Sequence, residues 1–232
     1  DAGGIPGART DFDIGDRVVA PYLWQEGVRK LDLLIFSHGD EDHEGGGVGV
    51  IKSIPAAMIW TPSAMKEHSA IESYLRDGSL LETPIVGQEW ISNDGVKVRV
   101  ISEPPTKERN WSQIIEITYG EQKFLFVGDL DGKEEQALLR STKLEFVTGL
   151  KVGHHGSKNG SSAELLKVLQ PKIVFISVGE ANRFSHPAVQ TLGRLKSVGS
   201  EVYRTDLQGR ILIRSDGFQY WVETLSRQET TK

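Results

Sequence analysis

Between His38 and His43 the chain sets two imidazoles and two aspartates within six residues, in the stretch LLIFSHGDEDHEGGG from Leu33 to Gly47. On an extended backbone successive side chains alternate between faces, so His38, Asp40 and Asp42 share one side and Glu41 takes the other. Carboxylates this close repel one another, and desolvating them at the end of an apolar strand costs more. A divalent cation relieves both problems, and an oxygen-rich His/carboxylate set suits ions such as Mn²⁺ or Zn²⁺. The plainer reading is a solvated acidic turn with incidental histidines. The density of donors at a strand end tells against it.

Three later places share this character. In FLFVGDLDG, Asp129 directly follows an apolar strand, where a carboxylate can lean over the sheet edge and bridge two ions. Asp131 is the weaker candidate, and the alternative for Asp129 is N-cap of a helix starting near Gly132. In LKVGHHGSKNGSS a strand ends in His154 and His155, followed by Gly156 and Ser157. Adjacent side chains diverge on an extended backbone, so one histidine is expected to ligate while its neighbour orients it or faces substrate. In NRFSHPAV, His186 precedes a proline that can begin a helix, and an imidazole at a helix N-terminus has a lowered pKa. Capping is the alternative there. Five of the six histidines thus fall at predicted strand ends or helix starts, the edge where α/β proteins gather ligands. His68 lacks neighbours at ligand spacing and reads as a surface residue.

The elements that must position these groups follow from hydrophobic period and turn chemistry. Residues 1–16 read as a loop. A short helix is expected over 18–26 with Pro21 in its first turn, and the largely apolar run 31–36 as a strand covered on both faces. Residues 48–54 continue a helical or apolar pattern, and 58–60 form the next strand. A helix is expected over 63–76, with Ala64, Ile71 and Tyr74 inward. Short strands at 89–91, 96–101, 114–119 and 123–127, separated by Asn93-Asp94-Gly95 and Gly120-Glu121, point to antiparallel pairing. Helices at 132–139, 161–169 and 188–198 then alternate with strands at 146–152, 173–178 and 201–204, before strands at 211–214 and 220–222. The sequence reads as one domain over 1–225 with a polar tail at 226–232.

The 232 residues, 38% apolar and 25% charged, describe an ordinary globular chain with room for a substantial core. Without cysteine there is no disulfide, thiolate ligand or thiol nucleophile. A net charge of -5 argues against gripping nucleic acid by bulk electrostatics. Two bound divalent cations would offset most of it, so an anionic substrate is compatible. No apolar run reaches transmembrane length, and the chain as given is expected to be soluble, without membrane insertion.

The ordered motifs SHGDEDHEGG, NWS, VGDL, GHHGS and NRFSHP resemble the metallo-β-lactamase superfamily and, within it, the C-terminal domain of ComEC-type competence DNA-uptake proteins. The flanking phrases FDIGDRVVAPYLWQEGVRKLDLLIFSHGDEDH and EVYRTDLQG extend the resemblance to about residue 215. It implies a four-layer α/β/β/α sandwich, here lacking its first strands. It also implies metal ligands at His38, Asp40, Asp42, His43, Asp129 and one of His154 and His155, with Asp42 among the catalytic groups. Asn110 and Ser112 stand where many members supply a further histidine. Glu41 and Glu44 depart from the smaller or apolar residues expected there. His186 would contact substrate phosphate or the leaving oxygen, with Ser157, Lys158, Asn182 and Arg183 beside the substrate.

Two divalent ions about 3.5–4 Å apart can arm a water for in-line attack at phosphorus. The expected function is therefore a metal-dependent phosphodiesterase or nuclease with Mn²⁺ or Zn²⁺, degrading the non-transported DNA strand during natural transformation. The resemblance places it outside the cytoplasm, beside the membrane channel domain of the same parent protein. No base-reading element is evident, so little sequence preference is expected. Two other readings stand beside this one: a binuclear hydrolase of a phosphorylcholine-type diester, lactone or thioester, and a non-catalytic DNA-guiding domain of the channel.

Overall fold

Apolar residues at a period of two build the strands, and a wider helical period builds the segments that cover them. The structure is a computed structural model that describes residues 1–5, 7, 12–66, 70–102 and 112–225. Its contacts divide the chain into two units, residues 1–88 with 103–113, and residues 89–102 with 114–232. The expected polar tail at 226–232 lies outside the described residues, as does His68.

In the first unit a wide helical turn at Gly15–Val19 runs into α1 (Ala20–Gln25), with Pro21 in its first turn as expected. Strands β1 (Leu31–Ile35), β2 (Ala56–Trp60) and β3 (Leu80–Glu82) pair in that order, all parallel. Between β1 and β2 lie α2 (Glu41–Glu44) and α3 (Gly47–Ser53). The core joins Ala2, Phe36, Val50, Ile51, Ala56, Ile59, Met65 and Ile71. Two expectations need correction. Strand β1 is only partly buried, with Asp32 exposed, rather than covered on both faces. The helix expected over 63–76 is α4 (Ser63–Lys66) and a separate 3₁₀ turn at Ala70–Tyr74, in which Ile71 is buried and Tyr74 is 39% exposed.

The second unit holds a seven-stranded sheet in the order β10-β9-β8-β7-β6-β5-β4. Its members are β4 (Glu89–Ile91), β5 (Lys97–Ser102), β6 (Ile114–Tyr119), β7 (Gln122–Phe126), β8 (Gly149–Lys151), β9 (Ile173–Ile176) and β10 (Glu201–Arg204). From β4 to β7 the pairing is antiparallel, as the tight turns imply; from β7 to β10 it is parallel. Helices α5 (Gly132–Ser141), α6 (Ala163–Leu169) and α7 (Val189–Ser197) supply the crossovers that parallel strands require. The short α8 (Thr205–Gln208) leads to a separate hairpin, β11 (Ile211–Ser215) and β12 (Tyr220–Thr224). Strand β8 is shorter than the 146–152 run suggested. Val147 still donates its N–H to Leu169 O, outside the sheet.

Leu125, Leu150 and Val174 are cross-strand partners on β7, β8 and β9 and all are essentially buried. They form the central row of a core shared with Leu138, Leu165, Leu166 and Leu169 of the helices. Among the described residues no helix is long and apolar enough to cross a membrane. Leu150→Ala is expected to cost this unit about 2–5 kcal/mol in urea unfolding, and Leu150→Met less than about 1.5 kcal/mol. An unchanged midpoint for the alanine variant would contradict this placement of the core.

Candidate metal centre

In the first unit the chain leaves β1 through buried Phe36 to His38, which is 2% exposed. Asp40 is still extended, at φ -78 and ψ 145, but it caps α2, so the alternation of faces stops there. Asp42 and His43 ride on a helical turn, correcting the extended reading of this loop. His38 and Asp40 do come together, with Nε2 3.5 Å from Oδ2. Asp42 and His43 offer ligand atoms within 4.8 Å of each other, and the rings of His38 and His43 lie 4.1 Å apart.

Both imidazoles are engaged at Nδ1 from within the protein. Asp1 Oδ2 lies 3.0 Å from His43 Nδ1, and the same carboxylate accepts from the Ser37 backbone N–H (2.7 Å) and hydroxyl (2.9 Å). The hydroxyls of Ser37 and Ser112 lie 3.0 and 3.3 Å from His38 Nδ1. A ring held at Nδ1 presents Nε2 to a ligand, with tautomer and direction fixed by the partner behind it. Ser112, expected where a further histidine would have stood, is found behind His38. Asn110 lies outside the described residues. Asp1 is the orienting residue the sequence did not reveal. It opens a glycine-rich loop and meets a histidine 42 positions later.

In the second unit three neighbouring parallel strands end side by side. Asp129 follows β7, the histidine pair follows β8 and Ser177 follows β9. His154 and His155 both adopt left-handed backbone conformations, at φ 48 and 51. The two rings therefore do not diverge as an extended backbone would require. His154 Nε2 lies 3.7 Å from Asp129 Oδ2, and His155 Nε2 lies 3.6 Å from Asp129 Oδ1. His155 Nδ1 is 2.7 Å from Ser177 O, and His154 Nδ1 is 3.2 Å from Asp131 Oδ2. Asp131, and not Asp129, caps α5, in a capping box with Glu134. Burial raises the Glu134 carboxyl above its usual value.

Metal–ligand bonds of about 2.0–2.2 Å set neighbouring donors about 3.0–3.5 Å apart. The Nε2-to-carboxylate distances of 3.5–3.7 Å in both units are too long for good hydrogen bonds. They are close to the spacing of donors around one ion. With these four Nδ1 atoms engaged, the Nε2 atoms face outward from their anchors, and the described residues include a His/Asp cluster that could hold a divalent metal.

His186 sits in the loop after β9, bracketed by Asn182. The Asn182 side chain accepts from the His186 N–H (2.9 Å) and donates to His186 O (2.8 Å) and Gly179 O (3.0 Å). The His186 ring stacks against Phe184 and lies 5.9 Å from the His154 ring. Helix α7 begins three residues later, so the expected helix end is not what acts on this ring. Burial lowers its pKa most, positive charge at His154 and His155 adds to the effect, and Asp129 opposes it. Gly156, at φ 85, lies against Pro187, where a Cβ would come within 2.5 Å of the proline Cβ. Ala188 N–H donates to Gly156 O at 2.8 Å. Of the expected substrate-side residues, Ser157 Oγ accepts from Asn159 N–H and shapes the turn. Arg183 lies over the Phe184 ring at 4.9 Å, and Lys158 lends its carbonyl to Arg194.

The model of the metallo-beta-lactamase superfamily matches residues 2–180, and the chain belongs to that superfamily. It is 30% identical over 210 residues to ComE operon protein 3 of Bacillus subtilis, covering 88% of this chain and 27% of that one. It is also 32% identical over 197 residues to competence protein ComA of Neisseria gonorrhoeae, covering 83% and 26%. The chain thus spans about a quarter of the length of these relatives. The fold is similar to that of the metallo-beta-lactamase fold protein YhfI of Bacillus subtilis, with TM-score 0.54 at 14% identity over 95% of this chain and 96% of that one.

Two outcomes are expected from this geometry. Asp1→Asn removes the charge behind His43 and should weaken Zn²⁺ or Mn²⁺ binding about 10–100-fold by titration; parent-like affinity would remove Asp1 from an orienting role. In the metal-free chain, His186 should titrate by NMR below the usual 6.5. Between that lowered value and 6.5 the unfolded chain binds the proton more readily, so the His186 contribution to stability falls as pH drops through this window. A midpoint at or above 6.5 would contradict the burial argument.

Proposed function

We propose that the chain is a metal-dependent phosphodiesterase that cleaves DNA and degrades the non-transported strand during DNA uptake. The observation that carries this is the 30–32% identity with competence proteins over 83–88% of the chain. In this reading the first unit's His38, Asp40, Asp42 and His43 join the second unit's Asp129 and His155 around two Mn²⁺ or Zn²⁺ ions, in a four-layer α/β/β/α sandwich. The superfamily match across residues 2–180, which spans both sets, supports that grouping. When bound, the ions supply Lewis-acid activation of water and charge stabilisation at phosphorus.

The protein's own groups divide the remaining tasks. His155, anchored by Ser177 O, is assigned as the ligand of the histidine pair. His154, 41% exposed at its side chain and steadied by Asp131, is turned toward substrate. His186 contacts the phosphate or the leaving oxygen, and its lowered pKa makes it a neutral hydrogen-bonding group at pH 7. Lys158 and Arg183 neutralise flanking phosphates. The parent protein's channel domain is the partner, and the extracytoplasmic face of the membrane is the location.

The test strips the chain with chelator and restores Mn²⁺ or Zn²⁺ separately. Single- and double-stranded DNA are then assayed beside a phosphorylcholine diester, a lactone and a thioester. DNA cleavage restored by metal, and reduced at least ~100-fold in Asp129→Ala, is the expected result. Rapid turnover of a small ester with intact DNA would replace the substrate assignment. DNA binding without cleavage under any metal would favour the guiding role.

A further inference from the structure

The histidine turn is held from both sides by charges that the chemistry above does not use. Glu135 on α5 is 1% exposed, although it is a carboxylate on a helix that reads as a polar surface segment. Its Oε1 accepts from Ser161 N–H, and its Oε2 accepts from Ser162 N–H at 2.8 Å. Arg194 on α7 faces the carbonyls of the same loop. Its Nε donates to Ser161 O (2.9 Å) and its Nη2 to Gly160 O (2.7 Å) and Lys158 O (2.9 Å). The peptide groups flanking Ser161 are thus gripped by an anion at the N–H and a cation at the C=O.

One turn earlier on α7, Thr191 Oγ1 donates to Ser157 O at 2.7 Å and accepts from Arg194 at 3.0 Å. Ala188, Thr191 and Arg194 are spaced by three residues, so they line one face of the helix start along the loop. Ser161, fully buried at φ 53, takes the Gly153 N–H on its hydroxyl at 3.2 Å. That last bond ties the far end of the loop to the residue before His154.

Left-handed backbone at non-glycine residues persists only where the surroundings over-determine it. His154, His155 and Ser161 all adopt it within eight residues. We infer that Glu135 and Arg194 form a two-sided clamp on residues 157–162 that fixes the His154–His155 turn with both Nε2 atoms on Asp129. They are positioning residues, and the inference rests on the metal-site reading given above. Arginine suits the task because its planar fork reaches several carbonyls at once, which an ammonium on a flexible stem does not.

The test uses the whole chain with Co²⁺ as probe, following both affinity and the visible absorption of the bound ion. Glu135→Gln and Arg194→Lys should each weaken Co²⁺ binding about tenfold or more and alter the absorption band. In the metal-free state, amide exchange across 153–162 should quicken in both variants. Leu169→Ala, a buried core lesion on α6, should lower the unfolding midpoint and leave the Co²⁺ band unchanged, as a merely structural role for the clamp would also do. Parent-like affinity and absorption in Arg194→Lys would overturn the clamp while leaving the metal site standing. A parent chain that binds no Co²⁺ would overturn the metal site and the clamp with it. If Glu135→Gln does not fold, Arg194→Lys and its exchange pattern decide the matter.

Discussion

Parallel pairing of β7, β8 and β9 is the constraint on which the second unit's chemistry depends. Strands that run the same way must end at the same edge, and each must be followed by a crossover that carries the chain back. The residues that leave those three ends are Asp129, the histidine pair and the loop to His186. Their meeting therefore follows from topology before any side chain is chosen. The buried row of Leu125, Leu150 and Val174 keeps the ends level. Strand β7 is also where antiparallel pairing gives way to parallel.

Both units solve the orientation of imidazole in the same way. Behind His43 stands a carboxylate, behind His38 two hydroxyls, behind His154 a carboxylate and behind His155 a backbone carbonyl. The partners differ in chemistry and agree in effect, since each occupies Nδ1 and leaves Nε2 directed at an aspartate or its neighbourhood. The residues behind the imidazoles are therefore as much a part of the arrangement as the imidazoles themselves.

The sequence placed these His and Asp groups at strand ends, where the structure has them, and misjudged how the backbone presents them. Apolar runs closing on Gly, His and Asp mark strand ends plainly, and the tight-turn signals at Asn93-Asp94-Gly95 and Gly120-Glu121 foretold the antiparallel half. The assumption of extended loops failed twice, at the helical turn carrying Asp42 and His43 and at the left-handed turn of His154 and His155. A backbone conformation imposed by distant partners leaves no local trace in composition. Asp1 and Glu135 escaped for the same reason: one reads as a loop residue and the other as a surface helix charge, and each acts on a segment more than twenty positions away. For His186 the expected direction of the pKa change agrees with the structure, but the helix start invoked for it plays no part. The cause, burial among other histidines, needed the fold.

The contact of Gly156 with Pro187 ties two otherwise separate loops backbone to backbone. With no side chain between them, neither can swing outward without dragging its neighbour, so the twin imidazoles and His186 travel as one plate. The distance between the imidazoles on the two loops is thereby set by the backbone itself rather than by packing between side chains.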